Sequence, residues 1–123
     1  MTMDRGAFGT FGEHVAGRYL ESQGYRIIER GWHNRYGEID LIAEHGGEIV
    51  FVEVKSRRSD RFGAPEESVT PAKAARLRAA AEGFLAQRGG RPPAYRIDVI
   101  AIYGGADGRL VLRHLRSAVD AAD

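Results

Sequence analysis

Residues 37–56 read GEIDLIAEHGGEIVFVEVKS, two apolar-rich stretches divided by Gly46-Gly47. Gly-Gly accepts the positive φ values of a two-residue turn, so the segment predicts a β-hairpin over Gly37–Glu44 and Glu48–Ser56. With the turn at 46–47, paired positions sum to 93 and Asp40 lies opposite Glu53. Directly opposed side chains have Cβ atoms about 4.5–5.5 Å apart. Two carboxylates that close repel each other unless something cationic lies between them. Alternation puts Ile39, Leu41 and Ala43 on one face with Val50, Val52 and Val54. The other face carries Ile42, Ile49 and Phe51 near the turn, then Glu38, Asp40, Glu53 and Lys55 away from it. A solvent face would not need Phe51, and a fully buried face could not hold four charges. The expectation is a covered sheet with a charged cleft at the far end of the hairpin.

Working outward, Phe8, Phe11, Val15, Ala16, Tyr19 and Leu20 recur at helical spacing and predict a helix from Thr10 to about Gln23, stopped by Gly24. Tyr25 to about Trp32 reads as a first strand, whose adjacent Ile27 and Ile28 point to burial on both faces. The stretch from Arg57 to Val69 has too many Gly, Pro and charged residues for a regular element. Thr70-Pro71 is an N-cap followed by Pro at the first helical position. That helix runs through Ala74, Leu77, Ala81, Phe84 and Leu85 to Gly89-Gly90. Tyr95–Tyr103 is a fourth strand, Leu110–Leu115 a candidate fifth, and the AVDAAD tail is expected to fray.

The order is helix, three strands, helix, strand. Short connections make the first three strands an antiparallel meander, and the second helix a right-handed crossover to a parallel strand. The fold class is α/β, a mixed sheet flanked by helices with an αβββαβ core. One domain is expected over residues 1–123, with its core at about 8–115.

The composition, 43% hydrophobic and 28% charged, is that of an ordinary globular protein. No apolar run is long enough to cross a bilayer, and the first residues do not read as a secretory signal, so no membrane partner is expected. Absence of Cys excludes disulfides and thiolate zinc sites and suits a cytoplasmic location. The net charge of +1 is unevenly spread. Residues 1–54 hold five Lys/Arg against nine Asp/Glu, whereas residues 55–78 hold seven against three. An acidic cluster beside a basic segment is what a metal-dependent site for a polyanion requires, although a solvated basic face would look the same.

Asp40 and Glu53 are hard oxygen donors that suit Mg²⁺ or Mn²⁺ and leave positions for water and phosphate. The backbone carbonyl of Val54 is a further candidate donor. Lys55, two residues beyond Glu53 on the same face, is placed to orient or deprotonate a water, and a nearby metal favours a lowered lysine pKa. A structural Asp/Glu–Lys network is the competing reading. Glu13 lies beside the apolar stripe and can reach the sheet, or merely serve the helix dipole. Arg57, Arg58, Lys73 and Arg76 are candidate nucleic-acid contacts, with solubility as the alternative for the helical pair. Asp98 in an apolar strand needs a partner and is a supporting candidate near the cleft. His14, His33, His45 and His114 show no paired metal spacing. There is no Gly-rich phosphate loop, Ser-His-Asp order or HExxH.

Asp40, Glu53-x-Lys55 and the preceding Glu13, in this element order, resemble the PD-(D/E)xK nuclease superfamily, whose core is restriction-endonuclease-like. Arrangement and length are similar to archaeal Holliday-junction resolvases. GEHVAGRYLESQGYRIIERGW, YGEIDLIAEHGGEIVFVEVKSR and RIDVIAI resemble more closely the bacterial YraN-like family of predicted endonucleases, and the likeness runs from about Phe8 to Leu115. The resemblance implies metal-dependent hydrolysis of DNA phosphodiester bonds. It assigns Asp40 and Glu53 as ligands of Mg²⁺ or Mn²⁺, Lys55 as the catalytic lysine, and Glu13 as a helix-borne acid, to complete the metal shell or bind a second ion. Ile39 stands where the superfamily's name has Pro. A catalytically silent nucleic-acid-binding or protein-interaction module on the same fold is the alternative. No segment of the 123 residues reads as an added recognition module. Recognition of branched or single-stranded DNA by shape, by a homodimer, is therefore expected.

Overall fold

Gly46 and Gly47 take φ of 57° and 83°, the left-handed values that the two-residue turn demands. The computed structural model describes residues 5–57, 69–104 and 107–119, with side chains from residue 9 onward. Its elements are α1 (Arg5–Ser22), β1 (Arg26–Asn34), β2 (Gly37–His45), β3 (Glu48–Arg57), α2 (Pro71–Arg88), β4 (Tyr95–Gly104) and β5 (Leu110–Val119). One five-stranded sheet has the order β1-β2-β3-β4-β5. β3 and β4 run parallel and the other neighbours antiparallel, as the short and long connections require. The restriction-endonuclease-like α/β core is thus present.

The sheet is covered on both faces. Leu77, Ala81 and Phe84 of α2 bury against Ile42, Ile49, Phe51 and Ile97, while Ala16 and Leu20 of α1 bury against Leu41, Val50, Val52 and Ile100. Ile27 joins the α1 side and Ile28 the α2 side, across a bulge in β1. The doubled isoleucine therefore marks burial on both faces.

Three boundaries differ from the sequence reading by two residues or more. Helix α1 begins at Arg5 rather than Thr10, and β1 continues to Asn34 rather than Trp32. β5 continues through Ser117 and Ala118 to Val119, taking in two residues of the expected frayed tail, because Val119 is buried against the α2-side core. One face assignment also changes. Ile39 sits in the α2-side cluster and Leu41 in the α1-side cluster, although residues two apart on a regular strand share a face. Alternation breaks at Asp40.

Helix α1 lies close to β3 because Gly12 has no side chain. A Cβ at position 12 would fall 1.9 Å from Ser56 Oγ and 3.1 Å from Ser56 Cβ. Gly12→Ala should therefore destabilise the fold by about 1–3 kcal/mol, the usual range for overpacking. Adding Ser56→Ala should restore part of the loss. Denaturant unfolding of the single and double variants checks this; equal stability of Gly12→Ala and the parent would refute the close approach.

Candidate active site

The β2–β3 ladder runs from His45↔Glu48 to Leu41↔Val52 and stops there. Beyond it, the Val54 N–H donates to Asp40 Oδ2 over 2.7 Å. Asp40 and Glu53 are therefore not a simple cross-strand pair, as the sum rule alone would have them. The Asp40 carboxylate replaces a ladder carbonyl at the point where the two strands part. On a strand, the N–H and C=O of one residue face the same neighbour. The Val54 carbonyl thus faces the same gap as the Asp40 carboxylate.

Glu53 follows Phe51 on the α2 side, where α2 delivers a cation to it. Thr70 caps the helix, its side chain accepting from the Lys73 N–H at 3.2 Å, and Pro71 opens the first turn. This cap fixes Lys73 in the first turn, with Nζ 2.9 Å from Glu53 Oε1. Lys55 Nζ approaches the same oxygen at 3.3 Å. Glu53 and Lys55 are buried, with only 7% and 8% exposed. A cleft of about 220 Å³ opens beside them, lined by Gly37, Glu38, Asp40, Glu53, Lys73 and Arg76, with Leu77 at its apolar side. This is the charged cleft expected at the far end of the hairpin.

The electrostatics follow from this crowding. Burial, then the Glu53 charge and the nearby Glu13, push the Asp40 carboxyl from 3.8 to about 7, against the help of the Val54 N–H. Glu13 lies near enough to raise the Asp40 pKa, so α1 does bring its acid to the seam from the other side. Burial lowers the Lys55 pKa, and the neighbouring Lys73 lowers it further, while Glu53 opposes. Lys73 moves the other way: burial works against its charge, but the influence of Lys55, the bond to Glu53 and the pull of Asp40 outweigh it. The lowered Lys55 that was tied to a metal is thus already set by burial and a second lysine. Lys73 is more than a surface phosphate contact; it is a cation bonded to Glu53 within reach of the Asp40 charge.

Among the described residues, no three His, Asp or Glu side chains form a ready-made metal cage. The donor set nevertheless fits Mg²⁺ or Mn²⁺, which typically take one or two carboxylates and complete their shell with water and substrate phosphate. Lys73 Nζ, drawn to Glu53 and felt by Asp40, shows that this seat attracts a cation.

The other candidates are more dispersed. Arg76 lines the cleft and is exposed. Arg57 is exposed at the end of β3, donating to the Ser56 carbonyl at 2.9 Å. Arg58 lies outside the described residues. Asp98 is not part of the cleft. Paired with Val52 on β3, it is buried on the α1 face and bound by Arg96 at 3.1 Å, His114 Nε2 at 2.8 Å and the Ser117 N–H at 2.9 Å. Burial raises its pKa, but these three bonds outweigh that and hold it low. It is a structural anchor. Arg96, two residues earlier on the same strand face, was the legible signal; His114 arrives only through β5 pairing.

No helix among the described residues is long and apolar enough to cross a membrane. The family model for the uncharacterised protein family UPF0102 matches residues 12–102, which include Glu13, Asp40, Glu53, Lys55 and Lys73. A UPF0102 protein of Symbiobacterium thermophilum is 50% identical over 113 residues, covering 92% of this chain and 96% of its own. UPF0102 proteins of Syntrophomonas wolfei and Beutenbergia cavernae are each 46% identical over 110 residues, covering 89% of this chain and 95% and 93% of theirs.

A raised folded-state pKa contributes stability below the unfolded pKa of 3.8 that is lost as pH rises through about 7. Asp40→Asn, without metal, should therefore exceed the parent in stability by roughly 1–4 kcal/mol at pH 8, with the gap shrinking toward pH 5. Glu53→Gln should lose stability instead, since it leaves two ammonium groups without their anion. Urea unfolding with EDTA at both pH values decides. A loss in Asp40→Asn equal at both pH values would mark Asp40 as only a structural partner of Val54.

Proposed function

We propose that this chain, which belongs to the uncharacterised protein family UPF0102, is a metal-dependent nuclease that hydrolyses DNA phosphodiester bonds and selects its substrate by structure. The carrying observation is the strand seam. Two strands part at Asp40, and the gap gathers two carboxylates, a helix-borne acid and a buried lysine beside an open cleft. A stable sheet has no need of such a gap.

Each residue has a task in this reading. Asp40 and Glu53, with the Val54 carbonyl and Glu13, would hold Mg²⁺ or Mn²⁺. When bound, the ion supplies charge neutralisation at the phosphoryl oxygens and a lowered pKa for water. Lys55, its pKa lowered by burial, is readier than an ordinary lysine to give up its proton, and so to orient or deprotonate the attacking water. Lys73 and Arg76 present cations to the phosphodiester from the first turns of α2. DNA fits because the cleft is open and flanked by basic residues, and a homodimer would enlarge a surface that one small chain provides sparingly.

One observation favours the silent module. Glu53 already has two ammonium partners, so the site is not short of positive charge at that residue. Metal titration separates the two readings, since an ion that binds only the folded chain raises its melting temperature.

Lys55→Met should keep the Mn²⁺-dependent rise in melting temperature and lose at least about 100-fold in cleavage, the lower range for a general base. The assay is a panel of single-stranded, duplex, flap and four-way-junction DNA with Mg²⁺ and Mn²⁺. No cleavage of any substrate and no metal-induced thermal shift would defeat the nuclease reading. Parental cleavage by Lys55→Met would remove the lysine from the mechanism.

A further inference from the structure

The turn between β1 and β2, which leads into the cleft wall at Gly37, holds an exposed aromatic ring that hydrolysis does not use. Asn34 Oδ1 accepts from the Tyr36 N–H at 2.9 Å and the Gly37 N–H at 3.3 Å, while its Nδ2 donates to the Ala80 carbonyl of α2 at 3.3 Å. The turn is therefore fastened to α2. Gly83 makes the docking possible: a Cβ there would lie 2.7 Å from Asn34 Nδ2 and 3.6 Å from Tyr36 Cδ2.

So positioned, Tyr36 remains 42% exposed, and it is the only aromatic among the large exposed apolar side chains of the described residues. Arg35 lies over it, Cζ 4.9 Å from the ring centroid, with a 2.6 Å bond from its guanidinium to the Tyr36 hydroxyl. Gly37, the next residue, is already cleft wall, where a Cβ would lie 3.8 Å from Arg76. Asp40 follows four residues after Tyr36, at most about 13 Å of extended strand. A flexible single strand covers that within a few nucleotides.

An exposed ring on an anchored turn, beside a guanidinium, has a physical match. Nucleobases stack on aromatic faces and guanidinium planes, but only where the base is unpaired. Resting on the nuclease reading, we infer that Tyr36 and Arg35 form a stacking platform for an unpaired base near the phosphate held at the cleft. The ligand class is DNA with a single-stranded stretch or a strand splayed at a branch. A ring that only covered Gly83 would be indifferent to how the DNA is paired.

The test is binding without cleavage, by fluorescence anisotropy with metal chelated, using single-stranded, gapped and fully paired oligonucleotides of one sequence. Tyr36→Ala and Tyr36→Leu should weaken binding of single-stranded and gapped DNA about tenfold and leave paired DNA within twofold. Tyr36→Leu retains an apolar cover over Gly83, so the result does not depend on the smaller side chain folding well. Tyr36→Phe should match the parent. The salt slope should be unchanged in the Tyr36 variants and lower by about 1 in Arg76→Ala. Equal losses on paired and unpaired DNA, no loss in Tyr36→Leu, or no DNA binding by the parent would each overturn the platform. Cleavage is scored separately. Pairing-selective binding without cleavage defeats the nuclease reading and leaves the platform standing; cleavage with undiminished binding by Tyr36→Leu does the reverse.

Discussion

The Val54 N–H bonded to the Asp40 carboxylate is the contact on which the site depends. A β-ladder satisfies its backbone groups pairwise, and parting two strands inside a sheet strands those groups. Here a side chain takes the place of the missing carbonyl. The strands separate after Leu41↔Val52 without leaving the Val54 N–H unpaired, and the gap they open is lined by acids. The same arrangement turns Ile39 toward α2 while Leu41 faces α1, so the break in alternation and the site have one cause.

Charge balance around the gap is set by elements far apart in the chain. α1 brings Glu13, close to β3 because Gly12 allows it, and α2 brings Lys73, aimed by its Thr70 cap. Three acids and two lysines at one seam leave Asp40 reluctant to ionise and Lys55 readier to lose its proton. A cluster serving only stability would pair its charges and stop. The Asp98 network does that: every charge has its partner, and the carboxyl stays ionised.

The hairpin, the order of the elements and the first turn of α2 were legible because each rests on local rules: Gly-Gly turn geometry, period-two alternation and a Thr-Pro helix start. The cleft was legible for the same reason, since four charges cannot share a buried face with Phe51. What escaped depends on contacts between distant elements. The flip at Asp40 follows from strand parting, which a register sum cannot show. Lys73 was visible as a basic residue, but its bond to Glu53 requires α2 to be laid over β3. Asp98 was visible as a charge needing a partner, and a strand face opposite the cleft supplied it. Strand β5 outran its expected end because Val119 finds a place in the core.

In the proposed reading, the seam is a cation seat whose ligands must give up a proton to use it. Calorimetric titration of Mn²⁺ at pH 6, in buffers of different ionisation enthalpy, measures binding and proton release together. One ion per chain is expected, with release of close to one proton at pH 6 but little at pH 8.5, and no tight binding by Asp40→Asn. No Mn²⁺ binding at millimolar concentration, or binding unchanged in Asp40→Asn, would contradict it.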